Sequence, residues 1–432
     1  MTKNLDKLLQ TLPDDDVLSQ CIHCGMCLAT CPTYELTKLE RSSPRGRIRL
    51  INAVAKGELH ITCTFAYEMN FCLDCEACET ACPAGVKYGS MVQASRSVIA
   101  QAGHETLLKK IIKKIIFSHL LLYPERFRAT ARLLYFYQNS KIRKIIHSSK
   151  ITAKYFGYLI ELDKLAPPVS KVFGNAMIPE IIKSQKESKY KTAILTGCLM
   201  DVMFVDVNLD TVEVLKKLDC EVIKPGNQFC CGSLPGHNGD FLTAKELAKR
   251  NIDAFEKYDY DYLISNSSGC GAFMKEYKYL LKDELLYTEK AEIFSNKVKD
   301  IMEFIAEKFP HVAYNNYNET ITYHDACHLV HSQKIYNEPR RIINSINELQ
   351  LIELEEANWC CGSAGIYNII HYTDSMKLLE RKMNHIRDTK AKIVLAGNHG
   401  CIAQLRYGAS KFKVNIEVQH PVTLIKNTLH NL

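Results

Sequence analysis

Two identical cysteine patterns near the start of the chain constrain its fold more than any other feature. Each follows C-x2-C-x2-C-x3-C-P, and together they contain Cys21, Cys24, Cys27 and Cys31, then Cys72, Cys75, Cys78 and Cys82. Three thiolates spaced two residues apart can wrap three corners of one iron–sulfur cube. The proline-closed fourth cysteine is carried away from that cube and can complete a neighbouring one.

Two such patterns predict two [4Fe–4S] clusters with exchanged ligands, as in a two-cluster ferredoxin. We expect cluster 1 to be held by Cys21, Cys24, Cys27 and Cys82, and cluster 2 by Cys72, Cys75, Cys78 and Cys31. Structural zinc and a disulfide framework are the alternatives. The number of soft thiolates and the two complete patterns favour iron–sulfur. Cys63 fits no ligand spacing and is expected to be an ordinary buried thiol.

The bulk composition is that of a globular protein with two or three domains. The chain has 432 residues and 47% hydrophobic residues, and it has no apolar run near the roughly 20 residues that span a bilayer. Its start lacks an apolar core of signal-peptide length, so we expect a cytoplasmic, reducing location. The formal charge of +7 would fall to about +3 with two cubes bound and near −1 with four. Net charge therefore gives no support to nucleic-acid binding.

Residues 1–104 are expected to form the mainly α-helical ferredoxin-type domain, beginning with an amphipathic helix within residues 1–20. Between the two patterns, four arginines crowd around a turn marked by Pro44 and Gly46; they are Arg41, Arg45, Arg47 and Arg49. They could be solvated at the start of a helix. They could equally offset the negative charge of the clusters and tune their potentials.

Residues 105–190 are expected to form a helical linker between two larger parts of the chain. In the segment ETLLKKIIKKII, apolar pairs alternate with lysine pairs, which gives a helix with one apolar half and one lysine face. Such a helix most often packs on its own protein, and it can also lie on an anionic membrane surface. Its first turns lack the interleaved aromatic residues that stack on bases, so no nucleic-acid partner is expected.

From residue 191 the pattern changes to alternating strands and helices, and an internal repeat appears. The first copy, residues 191–310, contains Cys198, Cys230, Cys231 and Cys270, and the second, residues 311–432, contains Cys327, Cys360, Cys361 and Cys401. Corresponding cysteines are offset by 129, 130, 130 and 131 residues, which indicates duplication. Cys220 lies outside the pattern.

The alternation predicts a duplicated α/β domain with parallel sheets covered on both faces. Ligands of such sheets gather beyond the carboxyl ends of the strands, so the four cysteines of each copy should converge on one site. Glycine-rich flanks such as CCGS would allow close backbone approach to sulfur. A further iron–sulfur centre in each copy, a zinc site and a cluster of structural thiols are all compatible with this pattern.

These motifs resemble those of a known family. The adjacent-cysteine CCG repeats are similar to the cysteine-rich domain shared by heterodisulfide reductase subunits, the small subunit of anaerobic glycerol-3-phosphate dehydrogenase and glycolate oxidase iron–sulfur subunits. The segments CIHCGMCLATCPTYEL, PRGRIRLI, CLDCEACETACPAGVKYG, SSGCGAFMKEY and CCGSAG look most like the glycolate oxidase subunit, over roughly residues 10–430.

The resemblance implies an electron-transfer subunit of an oxidoreductase that acts on CH–OH donors. It would take electrons from FAD-containing partner subunits that oxidise glycolate or a similar 2-hydroxy acid and pass them towards a quinone-type acceptor. Subunits of glycerol-3-phosphate, lactate or heterodisulfide-reductase-like systems are alternatives. No G-x-G-x-x-G dinucleotide fingerprint follows a strand, so no flavin is expected in this chain and no oxidation of substrate by the chain alone. Peripheral contact with the cytoplasmic side of the inner membrane is a further possibility.

The chain departs from heterodisulfide reductases at one point. In those proteins each repeat closes with a C-x-x-C pair, whereas here Ser267 and Asn398 occupy the first position of the two pairs. Four cysteines per repeat can still hold one four-iron cluster, but disulfide reductase chemistry is not expected. Around Cys327 lie His324, Asp325, His328 and His331, which could pass protons. Such histidines more often cap a turn or support a ligand.

Overall fold

A computed structural model describes residues 12–104, 107–184 and 186–430 of the chain. Most of the helix expected within residues 1–20 lies outside the described residues, and the described part contains a helix at Asp15–Ser19. The helices of the first 104 residues are Asp15–Ser19, Pro32–Thr37, Pro44–Ala55, Cys63–Phe71, Ala77–Thr80 and Tyr88–Gln101, with a 3-10 turn at Glu40–Ser42. The described part of this module contains no strand.

Local sequence explains how the helix between the two cysteine patterns begins. Pro44 is its first residue, and the Ser43 side chain caps it by accepting a hydrogen bond from the backbone N–H of Gly46. A Cβ atom at Gly46 would lie 1.9 Å from the carbonyl oxygen of Glu40, so only glycine allows this approach. The segment with the arginines is therefore a capped helix start that packs tightly against the preceding turn.

The linker is helical over most of its length. Its helical segments are Leu107–Lys114, Ile115–Leu121, Pro124–Gln138, Lys141–Ser148, Lys150–Leu165 and Gly174–Met177, of which Ile115–Leu121 has π-helical hydrogen bonding. Near its end, Ile181–Ile182 forms a short strand, β1, that belongs to the sheet of the following repeat. The expected linker thus also supplies an edge strand.

The first repeat contains a five-stranded sheet in the order β1-β3-β2-β4-β5. Its further strands are β2 (Lys191–Ile194), β3 (Glu221–Ile223), β4 (Tyr262–Ser265) and β5 (Val298–Asp300). They pair in parallel, whereas β1 is antiparallel to β3. The accompanying helices are Leu199–Met203, Val205–Lys217, Ser233–His237, Phe241–Phe255, Ser268–Lys275, Tyr277–Leu280, Thr288–Lys297 and Ile301–Lys308.

The second repeat has the same strand order without the additional edge strand. Its sheet runs β7-β6-β8-β9, with β6 (Glu319–His324), β7 (Leu349–Leu351), β8 (Ile393–Ala396) and β9 (Glu417–Gln419) all parallel. The helical segments are His328–Ser332 (π-helical), Asn337–Asn344, Tyr367–Ile370, Tyr372–Thr389, His399–Lys411 and Pro421–Thr428. In both repeats the strand order reverses beside the central strand, which creates a crevice at the carboxyl end of the sheet.

The expected fold class, a helical ferredoxin-type domain followed by a linker and a duplicated α/β domain with parallel sheets, is confirmed. One large hydrophobic core extends through both repeats and contains Ile194 of β2 and Ile321 of β6. Two expectations need correction. Cys63 is exposed, because it is the first residue of its helix and faces an open cavity, and the first sheet is not wholly parallel.

Candidate iron–sulfur centres and their surroundings

The first cysteine pattern forms a pocket at the surface of the ferredoxin-type module. Cys21, Cys24, Cys27 and the distant Cys82 all line it, as the exchanged-ligand pattern predicts. Cys78 also borders this pocket. Cys24 is exposed, whereas burial raises the pKa of Cys27. The pocket is therefore partly open to solvent.

The second pattern lies deeper, and Cys31 of the first pattern lies beside it. Burial and the neighbouring thiols of Cys75, Cys72 and Cys31 raise the pKa of Cys78 well above its ordinary value. The Thr33 hydroxyl is 3.3 Å from the Cys31 sulfur, and the Tyr88 hydroxyl donates a hydrogen bond to Cys72 Sγ over 3.5 Å. The structure thus groups Cys31 with the three closely spaced cysteines of the other pattern.

A buried arginine lies under this second site. Arg47 is 0% exposed and donates hydrogen bonds to the Glu68 carbonyl at 2.7 Å and to Thr33 Oγ1 at 3.0 Å. Burial alone would lower the pKa of its guanidinium, but the adjacent Tyr88, Cys72 and Cys31 keep the pKa above its usual value. Of the four arginines between the two patterns, Arg47 is the one buried against the thiols of the second site. Arg45 lines the pocket of the first site and forms an ion pair with Glu40, and Arg41 forms an ion pair with Glu68.

The second site also contacts the second repeat. Cys75 and Phe71 pack in one buried cluster with Cys360 and Tyr367, and Cys327 lies at its edge. Burial raises the pKa of Cys75 well above its ordinary value, and the charge of Cys327 adds to this effect. The two sites are therefore neighbours across the boundary between the module and the repeat.

A hydrogen-bonded network joins the second site to both repeats. The Asp74 carboxylate lies 3.1 Å from His237 Nδ1, in the first repeat, and its backbone oxygen lies 2.8 Å from His328 Nε2, in the second. Arg96 donates hydrogen bonds to the carbonyl oxygens of Cys72 and His237. Burial opposes ionisation of Asp74, but the hydrogen bond with His237 and the charge of Arg96 lower its pKa to about 2. Sequence patterns gave no indication of His237 or Arg96.

The cysteines of each repeat meet at the carboxyl end of its sheet, as the topology requires. Cys198 lies beyond β2 and Cys270 beyond β4, while the adjacent pair follows β3. All eight cysteines of the two repeats line a single cavity of about 680 Å³ together with Cys72 and with side chains of the linker. The two sites therefore share one cavity with Cys72 of the second ferredoxin-type site.

Within each repeat the thiols contact one another. The Cys198 thiol donates a hydrogen bond to Cys230 Sγ over 3.7 Å, and hydrogen bonds from Cys198 and Cys231 lower the pKa of Cys230 well below its ordinary value. In the second repeat, hydrogen bonds from Cys360 and Cys401 do the same for Cys361. A buried thiolate is stable at these positions because neighbouring thiols donate hydrogen bonds to it. A bound metal would replace those hydrogen bonds with metal–sulfur bonds.

The two positions that carry cysteine in heterodisulfide reductases face each other across the repeats. Ser267 Oγ lies 3.2 Å from Asn398 Oδ1 and 2.8 Å from His399 Nδ1. The Ser268 backbone N–H donates to the Gly397 carbonyl over 3.0 Å. Instead of adding a fifth thiolate to each site, these residues connect one repeat to the other.

The polar residues around Cys327 do not form one relay. His328 and His331 turn towards the ferredoxin-type module, where His331 Nδ1 lies 3.0 Å from Thr80 Oγ1. Asp325 forms an ion pair with Arg340. His324 lies near the sulfurs of Cys361 and Cys401, and His328 lies close enough to Cys327 to influence its thiol. Cys220 is fully buried in the hydrophobic core, apart from the other cysteines of its repeat.

The donor set suits iron–sulfur centres. All eighteen cysteines are free thiols, and sixteen of them fall into the four groups described, without a disulfide among the described residues. Soft thiolates in buried, partly apolar surroundings are the ligands that iron–sulfur clusters require. The described residues therefore give no support to the disulfide alternative.

Comparison with known proteins agrees with this architecture. A 4Fe-4S dicluster domain model matches residues 17–86, a cysteine-rich domain model matches residues 192–275 and 321–406, and a model for the linker region of the glycolate oxidase iron–sulfur subunit matches residues 108–165. A probable glycolate oxidase iron–sulfur subunit from Bacillus subtilis (strain 168) is 38% identical over 92% of this chain and 90% of its own length.

The chain belongs to the family of glycolate oxidase iron–sulfur subunits. Another family member, the glycolate oxidase iron–sulfur subunit of Escherichia coli (strain K12), is 28% identical over 99% of this chain and 98% of its own length. Lactate utilization protein A of Oceanobacillus iheyensis is 28% identical over 55% of this chain. As a member of the family, the chain is an iron–sulfur electron-transfer subunit of an oxidoreductase. The described helices include none that is long and apolar enough to cross a membrane.

Proposed function

We propose that this protein carries electrons within a complex that oxidises glycolate or a similar 2-hydroxy acid. The observation that supports this most is the spatial series of cysteine groups, from an exposed site, through a buried one, to the shared cavity of the two repeats. When bound at these cysteines, iron–sulfur clusters supply one-electron carriers between the FAD of partner subunits and a quinone-type acceptor.

The proposed ligands are the four cysteine groups. Cluster 1 would be held by Cys21, Cys24, Cys27 and Cys82, and cluster 2 by Cys72, Cys75, Cys78 and Cys31. The two repeats would each hold a further centre, through Cys198, Cys230, Cys231 and Cys270 and through Cys327, Cys360, Cys361 and Cys401. The proposed domains are residues 1–104, 105–190, 191–310 and 311–432.

The exposed first site is the proposed place of contact with the flavin-bearing partner. Ile22 and Met26 flank Cys24 and are 68% and 60% exposed. Exposed apolar side chains around a redox site favour docking, because their burial stabilises the encounter and excludes water. The buried second site keeps the route of electron transfer away from solvent, and the charge of the Arg47 guanidinium offsets that of the nearby thiolates.

The cavity at the other end suits an apolar acceptor. Beside the cysteines, its walls include Leu162, Leu165, Phe204 and Ile366, and an apolar acceptor would approach the centres of the repeats along these side chains. A quinone has this character, since its ring is planar and apolar with two carbonyl oxygens at its edge.

The linker supports peripheral attachment to the cytoplasmic side of the inner membrane. Leu107, Ile111, Ile112 and Ile115 remain exposed on the helix beginning at Leu107, with Lys110 and Lys114 also exposed. An apolar stripe beside lysines favours the surface of an anionic bilayer. Attachment there would place the chain near a membrane quinone.

Glycolate is the favoured substrate of the complex, because relatives named for glycolate oxidase match nearly the whole chain, including its linker. Lactate is the second candidate, and the corresponding relatives match about half of the chain. Systems that oxidise glycerol 3-phosphate remain a third.

The test is reduction of the purified protein by substrate through its flavin-bearing partners. Under anaerobic conditions, glycolate should generate the EPR signals of reduced clusters only when those partners are present. Parallel reactions with lactate and glycerol 3-phosphate distinguish the substrate classes. Adding anionic vesicles that contain quinone should restore the oxidised state and carry the protein into the vesicle fraction.

Three results would contradict parts of the proposal. Purified protein that contained no reducible iron would contradict the proposed electron-transfer function. Equal reduction by glycolate without the partner subunits would make the chain an autonomous enzyme. Full activity with soluble quinone, together with no association with vesicles, would contradict only the proposed membrane contact.

A further inference from the structure

His324 is a buried histidine that lies beside two cysteines of the second repeat. It is the last residue of β6 and is 1% exposed. Neither Nδ1 nor Nε2 has a hydrogen-bond partner among the described residues. A buried polar ring without partners is costly, so such a group normally has a ligand or an ordered water.

The nearest atoms that could use these nitrogens are sulfurs. One ring nitrogen of His324 and the Sγ atoms of Cys361 and Cys401 lie within 4.8 Å of one another, and all three residues are buried. Among the described residues, no other group of three or more histidine, cysteine or acidic side chains has all its ligand atoms within 4.8 Å of one another. Imidazole and thiolate together ligate iron in some iron–sulfur proteins.

The neighbouring charged side chains leave the imidazole without a competing partner. The Asp325 carboxylate accepts hydrogen bonds from Arg340 Nη1 and Nη2, both at 2.9 Å. The acid next to His324 is therefore engaged elsewhere.

The first repeat lacks this histidine. The residue at the corresponding position, three before the first cysteine of the repeat, is Leu195. Leu195 is 4% exposed and packs in a hydrophobic cluster with Cys230 and Cys231. His399 influences Cys230 from the other repeat, but its Nδ1 already contacts Ser267 Oγ. The two repeats thus offer different donor sets on the same backbone.

We propose that His324 ligates the metal centre of the second repeat through an imidazole nitrogen, while the first repeat provides thiolates only. This inference rests on the proposed function, which places an iron–sulfur centre in that repeat. Imidazole is neutral whereas thiolate is anionic, so a centre with His324 in place of one of the four thiolates of this repeat favours the reduced form and has a higher reduction potential. The second-repeat centre would then be the stronger electron acceptor of the two.

The first measurement asks whether the centre exists. Iron and acid-labile sulfide are counted in the full-length wild-type protein and in Cys361→Ser, both purified anaerobically. Loss of iron from the variant supports a centre at this site. Unchanged iron, or loss of zinc instead, would overturn the proposed centre and the inference with it.

The second measurement asks whether His324 is a ligand. Protein with ¹⁵N-labelled histidine is reduced and examined by pulsed EPR, with His324→Leu and His324→Cys beside it. We expect a histidine nitrogen coupling in the wild type that both variants lose. His324→Cys should keep its iron and show a lower midpoint potential, because a thiolate replaces the imidazole.

His420→Leu is the matched control. His420 is another buried histidine of the second repeat, and its Nδ1 caps a helix by accepting the Val422 N–H at 3.1 Å. This variant should keep the nitrogen coupling even if its melting temperature falls. If iron is present but His324→Leu and His324→Cys keep the wild-type coupling and potential, His324 is not a ligand, and the proposed function stands without it.

Discussion

The two cysteine patterns have the same spacing but opposite surroundings. Cys24 of the first is exposed and lies between exposed apolar side chains, whereas Cys75 and Cys78 of the second are buried. The second pattern packs against Cys360 of the second repeat, and the first faces away from it. Ligand spacing therefore determines which cofactor each site can bind. Tertiary contacts determine which neighbouring site or partner protein can exchange electrons with it.

The largest effect is expected from replacing the fourth cysteine of a pattern, because that cysteine is proposed to ligate the cluster held mainly by the other pattern. If the fourth cysteines are exchanged, Cys82→Ser should remove the same cluster as Cys24→Ser, and Cys31→Ser the same cluster as Cys75→Ser. Each variant should lose about four iron atoms per chain. EPR spectra of the four reduced variants provide the comparison. If the Cys82→Ser spectrum matched that of Cys75→Ser, the proposed ligand sets would be wrong.

A smaller effect is expected from removing the buried cation beneath the second site. Arg47→Met should lower the midpoint potential of that cluster by roughly 60 mV, a tenfold change in a one-electron equilibrium. It should also cost about 3 kcal/mol of folding stability, because Glu68 would lose a buried partner. Redox titration followed by EPR measures the first effect, and urea denaturation measures the second.

Arg41→Met is the control for this variant. Arg41 also pairs with Glu68, at 2.9 Å, but its side chain is 57% exposed. The pKa of Cys31 responds to Arg47 and shows no comparable effect of Arg41. Equal shifts of potential in the two variants would mean that Arg47 acts through Glu68 and not through its charge near the thiols.

The smallest effect is expected at the surface around the first site. Ile22→Ser combined with Met26→Ser should slow reduction by the flavin-bearing partner roughly threefold to tenfold, about 1 kcal/mol of lost contact. The cluster signals should be unchanged. Leu285→Ser, at a 97% exposed side chain outside this surface, is the control. An equal rate in the double variant would place the partner elsewhere.

Several features of the fold could be predicted from sequence because they depend on local spacing. The two cysteine patterns predicted the ferredoxin-type module, and constant offsets between cysteines predicted the duplicated domain. The strand–helix alternation predicted parallel sheets, with cysteines at their carboxyl ends. The edge strand Ile181–Ile182 was missed, since two residues give no periodic signal. Cys63 was expected to be buried and is exposed, because its environment depends on where the cavity opens.

By itself, the sequence determined which cysteines are spaced to act as ligands, since thiolate spacing limits which metal centres a chain can hold. Tertiary structure alone decided which of four similar arginines is buried against thiols. It also decided which of the three histidines near Cys327 lies close to both Cys361 and Cys401. Their sequence positions are alike, but their surroundings are not. Burial and the direction of a side chain depend on residues far away in the chain, and these decide charge, hydrogen bonding and access to solvent.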